Sequence, residues 1–201
     1  MHRRIYILVY LIGAALHGMA QTDWQFNKEK KGIKVYTKDS DSSSFKSIKV
    51  EGVFDGSWER LSAILMDVKH MDEWVYRTKN SYIIKQISNK EVIYYTETTL
   101  PWPINGRYTI IHMKLIEDRL HNINKVAGVN EPDILSSKNG LIRTTYYKSF
   151  WQVKTLQKNK ISIVFIVDIN PGGSLPAWVV NLFITTGPFE TFTRLAELLK
   201  K

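Results

Sequence analysis

Asn170-Pro171-Gly172-Gly173-Ser174-Leu175-Pro176-Ala177-Trp178-Val179-Val180-Asn181 is the stretch on which the reading of the fold turns. Before it, apolar residues recur at every second position; after it, they recur at helical spacing. The Pro-Gly-Gly run is turn chemistry, and Ser174 with Pro176 just behind it suits a helix start. Trp178, Leu182, Thr185, Phe189, Phe192, Leu195 and Leu199 then fall on one stripe at steps of three, four or seven. Gly187-Pro188 lies inside this pattern, so the spacing predicts one long C-terminal helix with a kink.

Upstream, β-branched and aromatic residues with a period of two predict strands over 82–87, 92–99, 107–116, 122–128, 141–155 and 161–169. Asn89-Lys90 and Lys158-Asn159-Lys160 are short enough to be hairpin turns, which makes neighbouring strands antiparallel. Nearer the N-terminus, 24–31 reads as a short helix ending at Gly32, and 33–38 and 45–54 read as strands around a Ser-rich turn. Asp55-Gly56-Ser57 then caps an amphipathic helix carried by Trp58, Leu61, Ile64, Leu65 and Val68.

The order strands, helix, many strands, long helix predicts an α+β fold in which a curved antiparallel sheet grips the terminal helix. A curved antiparallel sheet with one apolar face needs cover, and the terminal helix is the only element long enough to wrap it around. Aromatic residues make up 12% of the chain, so many rings must be housed between sheet and helix. A sheet of this kind is either filled solid or leaves an internal hydrophobic cavity, and the cavity is the expectation adopted.

Three pieces of the chain resemble the StAR-related lipid-transfer family, the START domains. Tyr95-Thr96-Glu97 leads into Pro101-Trp102-Pro103-Ile104-Asn105-Gly106-Arg107-Tyr108, which is similar to the family's proline-containing loop before an Arg-Asp pair. The stretch from Asn170 to Asn181 resembles the family's approach to its last helix, and Gly187-Pro188-Phe189-Glu190-Thr191 the break within that helix in bacterial-type members. The resemblance spans residues 24–201. It implies a helix-grip fold whose tunnel takes sterols, phospholipids or other hydrophobic molecules, with the last helix as lid. Tyr108 stands where the family has Asp. Sterol-carrying members pair the acid at Glu97 with a second Arg at the position of Met113, so this chain departs from cholesterol-type recognition.

Strand parity groups Glu97 with Ile93 and Tyr95, and Arg107 with Thr109, Ile111 and Met113. If both faces look inward, Glu97 and Arg107 pair with each other or hold a ligand headgroup, because an unpaired buried charge costs several kcal/mol. Trp102 is a candidate ligand or membrane contact. Tyr147 and Trp151 furnish a ring-lined wall, with Arg143 and Ser149 as polar neighbours, and Phe165 belongs to a central strand. Trp178, Leu182 and Phe189 form the lid stripe, and Asn181 is expected to bond across to the sheet or the ligand.

Catalytic patterns are absent: there is no Gly-x-Ser-x-Gly, no His-Glu-x-x-His and no phosphate-cradling glycine loop. Noncatalytic binding or transfer of a lipid-like ligand, gated by the C-terminal helix, is therefore the expected function, with no cofactor and no metal. The alternative is a cyclase or aromatase on the same fold, for which Glu97, Arg107 and His112 are the only ionisable candidates.

Residues 1–20 read as a secretory signal peptide: His2, Arg3 and Arg4, then an apolar run from Ile5 to Leu16, then Gly18-Met19-Ala20 as a cleavage site. Residues 21–201 are then a single exported domain, periplasmic or secreted. The chain has no Cys, so packing alone must stabilise it. Losing Arg3 and Arg4 lowers the formal charge of +9 by two. That basic balance suits transient contact with an anionic membrane surface; nucleic acid is not an expected partner, and a monomer is expected.

Overall fold

The computed structural model describes residues 23–118, 120–131 and 140–201. The expected signal peptide lies outside the described residues. The first element corrects the sequence reading. Residues 24–31 do not form a helix; β1 (Gln25–Lys30) and β2 (Ile33–Lys38) make a hairpin. Its two-residue turn, Lys31-Gly32, has positive φ at both positions (53° and 75°), the backbone that matches the twist of paired strands. β1 is exposed along its whole length, so its sequence carries no apolar period from which a strand could be read.

β3 (Ser47–Asp55) follows, then α1 (Trp58–Met66), capped by Ser57, whose hydroxyl accepts from the Arg60 N–H at 3.2 Å. A 3₁₀ turn (Val68–Glu73) carries the chain to the far side of the sheet. There β4 (Thr78–Ser88), β5 (Glu91–Thr98), β6 (Gly106–Asp118) and β7 (Ile123–Asn130) form a meander. The strand expected over 141–155 is broken in two. β8 (Leu141–Arg143) runs parallel to the start of β6, and after Thr144-Thr145 the chain re-enters the sheet as β9 (Tyr146–Gln157), followed by β10 (Lys160–Asn170).

Nine strands line up as β1-β2-β3-β10-β9-β7-β6-β5-β4, every neighbouring pair antiparallel. The sheet is open, with β1 and β4 at its edges. On its inner face, Ile48, Val50 and Phe54 of β3 and Ile161 and Ile163 of β10 are buried. Against that face lie α2 (Ala177–Thr185) and α3 (Gly187–Leu199). Only Thr186 separates them. It keeps right-handed helical φ/ψ, and the Glu190 N–H donates to its carbonyl at 3.1 Å, so the pair behaves as one bent helix. The observed architecture is the expected helix-grip fold.

α3 supplies the hydrophobic anchor. Phe192 lies 5.6 Å from the ring of Trp151, 5.8 Å from Phe165 and 5.9 Å from Phe54, centroid to centroid. Leu195 and Leu199 continue the stripe, and Gly56 lets Leu199 approach the β3–α1 corner. A second cluster sits on the outer face, where Tyr82, Tyr95 and Tyr108 stack across β4, β5 and β6 at 4.8 and 5.8 Å.

Candidate ligand-binding cavity

Between the inner face of the sheet and the bent helix the rings do not meet everywhere. A cavity of about 300 Å³ remains. Its wall is mostly apolar: Ile111 and Met113 from β6, Tyr147 and Trp151 from β9, Phe165 and Val167 from β10. α2 contributes Val180, Phe183 and Ile184, and the helix junction contributes Gly187 and Pro188. Gly187 brings that junction onto Tyr76, where a Cβ would meet the ring at 3.2 Å, and the Tyr76 N–H donates to Thr191 Oγ1 at 3.0 Å.

Polar groups enter the wall from the ends of β5 and β6. Thr98, Thr96 and Tyr94 face inward from β5, and Arg107 and Thr109 from β6. The Thr109 hydroxyl donates to Thr144 Oγ1 at 2.8 Å. Burial pushes the Tyr94 hydroxyl well above the usual tyrosine range, reinforced by the neighbouring Tyr147. Tyr147 is raised for the same reason, with a hydrogen bond to Ser149 working the other way. Both therefore stand in the cavity as neutral phenols. Gly128 makes this corner possible, since a Cβ there would sit 2.6 Å from Ser149 Oγ.

Arg107 is only 4% exposed. Its Nε donates to the Pro171 carbonyl at 2.9 Å, Nη2 to Gly172 at 3.1 Å and Nη1 to Asn105. The guanidinium thus ties the β5–β6 loop to the start of the lid, and burial lowers its pKa.

A sheet gripping a bent C-terminal helix over an apolar cavity matches a known family. The START domain profile covers residues 15–201. The chain belongs to the START domain family. Among curated relatives this START domain is similar to the mouse phosphatidylcholine transfer protein, 28% identical over 163 residues, covering 79% of this chain and 75% of that one. It is 24% identical to an uncharacterized protein of Pseudomonas aeruginosa over 195 residues, covering 95% and 96%. Among solved structures, a STAR-related lipid transfer protein fragment from Xanthomonas axonopodis superposes with a TM-score of 0.80 at 23% identity, covering 90% of this chain and all of that one. Human StAR-related lipid transfer protein 5 gives 0.77 at 18%, covering 90% and 88%.

Six of the residues singled out from sequence come together on the cavity wall of this START domain: Arg107, Ile111, Met113, Tyr147, Trp151 and Phe165. The other six do not. Glu97 faces outward, because the inward parity of β5 belongs to Tyr94, Thr96 and Thr98. Its carboxylate accepts from Tyr95 Oη at 3.4 Å and lies 3.5 Å from Lys79 Nζ, so the pairing with Arg107 does not occur. Trp102 is 92% exposed in the β5–β6 loop, after which the Trp102–Pro103 peptide is cis. Arg143, its suggested polar neighbour role aside, donates to the Glu131 carbonyl at 3.0 Å and is not on the wall.

The lid stripe is rotated from the expected one. α2 is apolar nearly all round, with only Asn181 and Thr185 polar, so its period does not choose a face. Val180, Phe183 and Ile184 turn inward, leaving Trp178 half-exposed and Asn181 and Leu182 off the cavity. Asn181 makes no cross-bond to the sheet among the described contacts; its carbonyl accepts from Thr185 at 2.6 Å. Phe189 is buried in the core, with Lys28 Nζ 5.6 Å from its ring centroid, and is not on the cavity wall. His112 points outward to Glu91 at 2.9 Å and Glu131 at 3.6 Å.

Sequence reasoning grouped Thr109 with Arg107 but missed Tyr94, Thr96 and Thr98. The available signal was the antiparallel register: with Arg107 facing inward, Thr98 opposite it must face inward too.

Proposed function

We propose that this START domain is a noncatalytic carrier that holds one lipid-like molecule in its cavity and exchanges it through movement of α2. The observation that carries the reading is an apolar cavity of about 300 Å³ covered by a helix that is itself apolar nearly all round. Such a site gains affinity from apolar contact at roughly 0.8 kcal/mol per buried methylene, before ordering costs. The curated relatives that bear names are phosphatidylcholine transfer proteins, which supports lipid as the cargo class. Noncatalytic action is supported by the placement of the three ionisable candidates, since Glu97 and His112 face away and only Arg107 reaches the wall.

Exchange needs an exit. The bend at Thr186-Gly187-Pro188 is the hinge in this account, with α2 moving while α3 stays anchored through Phe192, Leu195 and Leu199. Trp102 and Trp178 stand exposed on segments that Arg107 draws together, a suitable footing on a bilayer for a basic protein. Residues 21–201 acting as an exported monomer, after removal of residues 1–20, completes the proposal.

The test is transfer of a fluorescent alkyl probe from donor to acceptor vesicles. Acceleration that scales with protein concentration is expected; transfer no faster than without protein contradicts the carrier.

A further inference from the structure

The cavity is amphipathic along its length. Across β5 and β6, Thr98 lies opposite Arg107, Thr96 opposite Thr109, and Tyr94 opposite Ile111. Followed inward, the wall passes from a guanidinium and threonine hydroxyls to Ile111 and Met113, and then to the ring cluster of Trp151, Phe165 and Phe192.

Its charge is one-signed. Arg107 and Lys46 are the charged residues on the wall, and among the described residues no Asp or Glu lines it. Lys46 has its own partner, Asp39 at 3.0 Å. Arg107 is bonded to three carbonyls, which take three of its five N–H groups and bring no full negative charge. A buried cation in that position is stabilised by an anion at the same end of the cavity.

We propose that the cargo is an amphiphile with an acidic headgroup, a carboxylate or a phosphate monoester. The headgroup lies against Arg107, Thr98 and Thr109, and the chain runs past Met113 toward Trp151 and Phe192. This rests on the carrier reading and names its ligand.

Calorimetric titration of the wild-type chain with four probes of equal chain length tests it: dodecanoate, dodecyl phosphate, dodecyltrimethylammonium and dilauroylphosphatidylcholine. Either acid binding about tenfold or more tighter than the other two is expected, as charge-assisted hydrogen bonds require, and the tighter of the two acids identifies the headgroup. The zwitterionic or the cationic probe binding as well as the acids overturns this inference while leaving the carrier reading intact; no probe binding removes the carrier reading as well. Thr98→Glu places a carboxylate opposite Arg107 and is expected to weaken both acids about tenfold without removing any bond that Arg107 makes. A folded Thr98→Glu protein that binds dodecanoate like wild type overturns the headgroup assignment.

Discussion

Arg107 Nη2 donates to the Gly172 carbonyl at 3.1 Å, so the start of the longest strand holds the loop from which the C-terminal helices spring. That loop is shaped by its glycines. Gly172 has φ of +73°, and a Cβ there would stand 2.5 Å from the Arg143 carbonyl oxygen. Gly172→Ala is therefore expected to cost about 1–3 kcal/mol from backbone strain, with the clash in addition. Urea unfolding of the two proteins checks it; a change within about 0.5 kcal/mol is what an ordinary surface substitution gives and contradicts the strain.

Phe192 joins α3 to three other rings and is 1% exposed. Phe192→Ala is expected to destabilise the fold by about 3–5 kcal/mol, the range for removing a large buried ring. Thermal unfolding followed by circular dichroism reads it. Retention of wild-type stability means α3 is not the anchor on which the sheet closes.

Much of this architecture was legible because buried faces impose a period. Ile48, Val50 and Phe54 alternate in β3, and Phe192, Leu195 and Leu199 recur in α3, since each element hides one side. Where burial does not discriminate between faces, the sequence loses its voice. β1 exposes both faces and reads as anything; α2 is apolar on nearly all of them, so the inward set Val180, Phe183 and Ile184 replaces the expected Trp178 and Leu182. Glu97 failed for a related reason. Tyr95 and Ile93, which share its parity, are buried, but in the outer cluster with Tyr82 and Tyr108, and apolar neighbours alone do not say which side of a sheet is the inside.

Val180 faces the cavity from α2. Val180→Trp is expected to fill the space without uprooting α3, so the protein stays folded with a stability change of about 1–3 kcal/mol and loses most of its alkyl-ligand affinity. Paired calorimetric titration and thermal melts separate the two effects. A folded Val180→Trp protein that binds as well as wild type places the ligand elsewhere.

Tyr94 and Tyr147 carry a sign for pH. Burial raises both hydroxyls above the usual value of about 10, while the unfolded chain ionises near it. Their contribution to stability is whole below about pH 10 and is lost as pH rises beyond it, because only the unfolded state then releases the protons. Tyr94→Phe is expected to move the alkaline limb of the stability–pH curve upward relative to wild type. An unmoved limb, or phenolate absorbance from these two groups before unfolding, contradicts their burial as neutral phenols.

Native mass spectrometry of residues 21–201, purified without detergent or added lipid, tests the central claim most directly. The account predicts a population carrying one small amphiphile at near-stoichiometric yield, released by organic solvent and absent from Val180→Trp. A bare-mass protein in repeated preparations, which also takes up no alkyl probe on titration, would contradict it and leave a packed scaffold in its place.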